Sequence, residues 1–161
     1  MATRSRSSPP LRVDEPVTCF VAVVERPIDP AILLQESLAG EDGAALLFWG
    51  VVRNHHEGRP VEHLEYRAYV PMAEREMLSI ANEAVERFGV RAVRIVHRVG
   101  RLDVGEASVG IAVASAHRGD VYEASRYAIE QLKRRVPIWK REGYADGTAQ
   151  WVPGFTVEVP A

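Results

Sequence analysis

The stretch ASVGIAVASAHRGDVYEASRYAIEQLKRRVPIWKRE, residues 107–142, decides how this chain folds. Residues 107–116 are small and apolar and read as a buried strand. From Asp120 the apolar period changes: Val121, Ala124, Ala128, Ile129 and Leu132 recur at helical spacing, which predicts a helix to about Arg135. Asp120 followed by Glu123 resembles a capping box, with Asp in place of the usual Ser or Thr. Pro137 then stops the helix, because proline has no N–H to give and pushes the preceding Val136 out of the helical region. Whatever follows Pro137 must bend away.

Upstream the same logic places the remaining elements. VTCFVAVV, 17–24, is a β-branched run that reads as a strand. In DPAILLQESLAG, Asp29 is an N-cap, Pro30 occupies the first helical position and Gly40 is the expected stop. GAALLFWGVV, 43–52, fits a buried strand. The polar loop RNHHEGRP leads to a second strand, VEHLEYRAY, which pairs antiparallel with the first if the loop is a hairpin. Pro71 opens a long helix carrying Met72, Met77, Ile80, Ala81, Ala84, Val85 and Phe88 at helical spacing, and Gly89 ends it. AVRIVHRVG is a strand and RLDVGE a turn. Strand pairs punctuated by three main helices predict an α+β or mixed α/β sandwich in a single domain over 17–152. Residues 1–16 and 153–161 are expected to be tails.

The chain has 161 residues, 47% hydrophobic and 26% charged, with a net charge of −2. That balance argues against a nucleic-acid binder, so any anionic ligand must be met by a local cluster. No apolar run approaches the roughly 20 residues that span a bilayer, and MATRSRSSPPLR lacks the apolar core of a secretory signal. The single Cys19 excludes an internal disulfide and fits a reducing cytoplasm.

Of 20 basic residues only Lys133 and Lys140 are lysine, and both lie in QLKRRVPIWKRE. A lysine amine can lose its proton when desolvated or crowded by cations and then act as base or nucleophile; a guanidinium cannot. Basic residues closing a helix also complement its dipole, which accounts for Lys133 to Arg135 but not for the cations after the proline. Arg-rich coding bias is the remaining alternative. A second candidate is the His117–Arg118 pair between a strand end and a helix start, where backbone N–H groups and the helix dipole attract phosphate or carboxylate. A third is Arg53, which opens a Gly-containing polar loop. His55 and His56 are adjacent on an extended chain and point opposite ways, and no third ligand has metal spacing, so no metal is expected. His63 and His97 fall within strands and read as packed or surface side chains. No nucleophile elbow, Walker loop or dinucleotide fingerprint occurs.

Five segments in order, FWGVVRNHHEG, YRAYVPMAE, IVHRVGRLDVGE, ASAHRGDVYEA and LKRRVPIWKRE, resemble the catalytic (large) subunit family of molybdopterin synthase. The resemblance runs from about Val17 to Val152. It implies an α/β-hammerhead-type mixed sheet and a homodimeric core of a heterotetramer. It also implies a small ubiquitin-like sulfur-carrier subunit whose C-terminal Gly-Gly thiocarboxylate enters the large subunit's pocket. The implied substrate is cyclic pyranopterin monophosphate, converted to the molybdopterin dithiolene with no resident cofactor. Carried over position by position, substrate binding falls on Val51, Val52, Arg53, His117, Arg118, Lys133, Lys140, Arg141 and Glu142, with Lys133 and Lys140 catalytic. Two rival readings stand beside it: a Schiff-base lysine enzyme acting on a phosphorylated carbonyl compound, and a non-catalytic module binding the tail of a ubiquitin-like protein.

Overall fold

The computed structural model describes residues 17–152. In chain order these form β1 (Thr18–Val24), α1 (Pro30–Ser37), β2 (Ala44–Val51), β3 (His55–His56), β4 (Arg59–Ala68), α2 (Val70–Phe88), β5 (Ala92–Arg98), β6 (Gly100–Asp103), β7 (Ala107–Ser115), α3 (Arg118–Arg135), β8 (Ile138–Tyr144) and β9 (Ala149–Val152). The tails expected at 1–16 and 153–161 lie outside the described residues. No described helix is long and apolar enough to cross a membrane.

The strands divide into two sheets. The first is mixed, in the order β1-β5-β7-β2, with β1 parallel to β5 and β7 antiparallel to both its neighbours. Every residue of β7 is buried, as its unbroken apolar run demands of a strand covered on both faces. α2 and α3 pack together on one face, where Met77, Ile80, Ile95, Ile111 and Val121 join one core. α1 covers the other face, placing Leu33 against Val96 and Ala112. The second sheet runs β3-β4-β8-β9, with β6 also on β4. It encloses a smaller core of Val52, Val61, Leu64, Leu102 and Tyr144. This α+β architecture with three helices agrees with the sequence reading; the strands are shared between two sheets.

Several local expectations are corrected. β2 and β4 do not pair. β2 lies on β7, and the hairpin is instead the short β3 against β4, closed by Glu57 and Gly58 at φ 50° and 77°. The RLDVGE segment is only partly a turn: Gly100, at φ 93°, lets the chain leave the first sheet and enter the second as β6. α1 is capped at Asp29 as expected, its carboxylate accepting from the Ala31 and Ile32 amides, but it ends at Leu38 and not at Gly40. α2 begins at Val70 and ends at Gly89 in the left-handed region, with Met72 facing outward. α3 begins at Arg118 with His117 at its N-cap, so Asp120 sits inside the first turn and the Asp120–Glu123 capping box does not form.

The two long helices are tied by one polar cluster. Arg135 donates to both oxygens of Glu83, at 2.6 and 2.9 Å, and to Glu76, while the Tyr127 hydroxyl donates to Glu83 at 2.7 Å. Hydrogen bonding from Arg135 holds the Glu83 carboxyl down at about 2. A carboxyl depressed in the folded state stabilises the fold above its unfolded value and loses that contribution as pH falls through the folded one. Glu83 is about a third exposed, so solvent screens much of this effect. Glu83→Gln is expected to lower stability at pH 7 by about 1 kcal/mol in urea unfolding, and the gap from wild type should narrow steadily as pH falls below the ordinary glutamate range and close near pH 2.

Candidate functional site

Chain reversal at the end of α3 builds the site. Val136, at φ −80° and ψ 124°, leaves the helix, and β8 returns antiparallel to β4 with Lys140 opposite Tyr66. Lys133, on the last helical turn, and Lys140, on the strand, then line one cavity of about 530 Å³, within the range of small-molecule sites. Arg53, on the connection from β2 to β3, lines it too. So the two lysines of the chain and one of the expected arginines meet in a single pocket.

Alternation along β8 points Lys140, Glu142 and Tyr144 to one side. Glu142 is 2% exposed and is the only carboxylate among the described residues that line the cavity. It accepts from the Tyr144 hydroxyl at 2.8 Å and from His56 Nδ1 at 2.9 and 3.0 Å, and Lys140 Nζ lies 3.8 Å away. Burial pushes the Lys140 amine below the ordinary lysine range. The charge of Glu142 works against that shift, while Lys133 and Arg53 reinforce it.

A neutral polar floor lies beneath these charges. His97 is buried, and its Nδ1 donates to the Arg98 carbonyl at 2.9 Å. Burial lowers its pKa to about 4, so the ring is neutral at physiological pH and Nε2 is an acceptor only. Tyr66 meets it edge to face, with ring centroids 5.2 Å apart. Burial raises the Tyr66 phenol, a hydrogen bond with Ser108 opposes this and the Glu142 charge adds to it. Phe48, Ile129, Leu132 and Ile138 supply apolar walls. A cavity with cations above and a neutral, partly aromatic floor suits a flat heterocycle carrying an anionic group.

Not every expected residue reaches this cavity. Val51 lines it, but Val52 is 2% exposed in the smaller core, and its N–H and carbonyl are already bonded to Glu106 and Gly105. Arg141 is exposed on β8, out of step with the side chains that line the cavity. His117 and Arg118 are exposed at the start of α3. The fifteen residues from Arg118 to Lys133 place them about 22 Å along the helix from Lys133. The tandem histidines diverge as expected: His55 bonds Asn54 and His56 bonds Glu142. Sequence reasoning missed the cavity roles of His56, Tyr66, His97 and Ser108. The period-two pattern of KREGY was the signal that could have put Glu142 and Tyr144 on the same side as Lys140.

Known proteins resemble this chain in sequence and in fold. The family model described as MoaE protein matches residues 23–135, a span that includes Arg53, His117, Arg118 and Lys133 and stops before Lys140. A relative from Rattus norvegicus, named molybdopterin synthase catalytic subunit, is 50% identical over 109 residues, covering 68% of this chain and 54% of that one. A relative of the same name from Staphylococcus carnosus is 43% identical over 130 residues, covering 81% and 86%. The solved structure of molybdopterin synthase from Staphylococcus aureus superposes with a TM-score of 0.77 at 40% identity, covering 81% of this chain and 95% of that one. The chain spans about half to two thirds of the length of the fungal and mammalian relatives it matches. With the family match running through most of the folded region and the relatives agreeing with it in sequence and in structure, the chain belongs to the MoaE family.

Proposed function

We propose that this chain is the catalytic subunit of a molybdopterin synthase. It moves sulfur from the C-terminal thiocarboxylate of a small ubiquitin-like carrier onto cyclic pyranopterin monophosphate to make the molybdopterin dithiolene. The observation that carries the reading is the convergence of Lys133 and Lys140 on one cavity, reinforced by the lowered Lys140 amine. The free thiol of Cys19 fits a cytoplasmic setting.

The chemistry asks for what the pocket holds. Thiocarboxylate sulfur attacks a pterin side-chain carbon, forming a carbon–sulfur bond and an anionic tetrahedral or enolate-like species, and the oxygen on that carbon then leaves, as water or as the phosphate ester oxygen of the opened cyclic phosphate. Water must then cleave the acyl–sulfur bond, leaving sulfur on the substrate and a carboxylate on the carrier. A second loaded carrier repeats both steps. Each step develops negative charge and moves a proton, and a positively charged lysine pair serves both needs. In this reading Lys133 meets the carrier's glycyl end, and Lys140 serves the substrate and the proton transfers. Arg53 holds the phosphate from the same chain. His117 and Arg118 are too far along α3 to share that task within one chain, so in the homodimer proposed here they complete the partner copy's site.

Incubating the protein with thiocarboxylated carrier and cyclic pyranopterin monophosphate tests the function; dithiolene product is expected. Substrate trapped on a lysine by borohydride, without any need for carrier, would replace this reading with Schiff-base chemistry. Lys133→Arg and Lys140→Arg are each expected to lose most turnover while melting and assembling like wild type, since a guanidinium keeps the field but cannot cycle a proton.

Arg118→Ala is expected to raise the apparent substrate constant about tenfold to a hundredfold, the loss of one charge-assisted contact, with carrier affinity unchanged in calorimetry. Mixing Arg118→Ala with Lys140→Arg subunits should restore part of the activity, because each mixed dimer regains one intact site. Mixtures no more active than their parents would show that the two clusters do not serve one substrate.

A further inference from the structure

His56 has no part in the function as proposed, yet it makes the shortest contacts of the buried carboxylate to a titratable base. It reaches Glu142 from β3, 86 residues away in sequence, with Nδ1 2.9 and 3.0 Å from the two carboxylate oxygens. A carboxylate only accepts, so Nδ1 carries the proton. The oxygen at 2.9 Å is also the one nearest Lys140 Nζ, at 3.8 Å. That longer distance is an ion pair held short of a hydrogen bond. The ammonium is therefore free to point into the cavity.

We propose that His56 is a positioning residue for Lys140: by engaging the buried Glu142 carboxylate, it keeps that carboxylate from closing on the lysine and locking it. The proposal rests on the reading of Lys140 as the group that exchanges protons with substrate. Without His56, Glu142 retains, among the described residues, the Tyr144 hydroxyl, and turns fully to Lys140. Lys140 then holds its proton more tightly and faces away from substrate. Outer partners of this kind orient the groups that do the chemistry.

The other groups facing Lys140 do not supply this control. Lys133 on α3 and Arg53 on the β2–β3 connection repel its proton, whatever His56 does. Tyr66 on β4 is a neutral phenol with its own partner in Ser108. Tyr144 on β8 donates to Glu142 from below, and its ring is stacked by Arg59 at 3.5 Å. Among the described residues, only His56 competes with Lys140 for the same oxygen.

The test follows Lys140 alone, without substrate or carrier. Trace acetylation across a pH series, read by peptide mass, gives the labelling midpoint of Lys140 in wild type and variants. His56→Ala is expected to move that midpoint to higher pH, so that below it the labelling falls about threefold relative to the alkaline plateau. His56→Asn places an amide N–H where Nδ1 stood and is expected to label like wild type. Glu142→Gln removes the anion and is expected to move the midpoint the other way. An unmoved or lowered midpoint in His56→Ala overturns the proposal, and so does an Asn variant shifted as far as Ala. In sulfur transfer, His56→Ala should lower the single-turnover rate about tenfold and move its rising pH limb upward, with carrier affinity unchanged. Wild-type protein that labels as expected but transfers no sulfur would overturn the proposed function and leave the positioning role standing.

Discussion

Everything at the site depends on one backbone constraint, the break between Leu132 and Ile138. Pro137 has no N–H and forces Val136 into an extended conformation, so α3 cannot continue. Had it continued, Lys140 would stand about 10 Å further along the same face of a solvated helix. Instead β8 returns beneath α3, pairs with β4 and brings Lys140 under Lys133. The Val136 and Ile138 side chains, both at most 5% exposed, anchor the bend in the main core. The meeting of the two lysines is thus a consequence of where one helix is made to stop.

Local charge then works against the global balance. The chain as a whole is slightly acidic, yet the cavity collects Lys133, Lys140 and Arg53 around a single buried carboxylate. Burial and like charge loosen the Lys140 proton, and Glu142 tightens it. The lysine is poised between these influences, and a modest change in either partner tips it. Nearby, His97 and Tyr66 stay neutral because they are buried, so the floor of the cavity can hydrogen bond without adding charge.

Much of this was legible in the sequence because it is encoded locally. The caps of α1 and α2, the Pro137 break and the buried run of β7 each depend on a few adjacent residues, and each was placed within a residue or two. The scarcity of lysine singled out Lys133 and Lys140 before any geometry was known. What escaped depends on distant partners. β6 and β8 are strands because β4 offers hydrogen bonds, and β9 because β8 does, not because their own residues insist on it. β2 was assigned to the wrong neighbour because the RNHHEGRP loop looked like its hairpin, whereas β3 takes that place and β2 crosses to β7. The His56–Glu142 contact joins residues 86 apart and left no periodic trace. The separation of His117 and Arg118 from the lysines was readable in principle from helix length alone.

Because the chain holds only two lysines, selective isotope labelling of lysine side chains gives a spectrum in which both amines can be followed through a pH titration. The account predicts that Lys140 titrates below an ordinary lysine in the free protein, and that Lys133→Met moves it upward by removing a neighbouring charge. A Lys140 that titrates like a solvated side chain and ignores the loss of Lys133 would contradict the shared pocket on which the proposed mechanism stands.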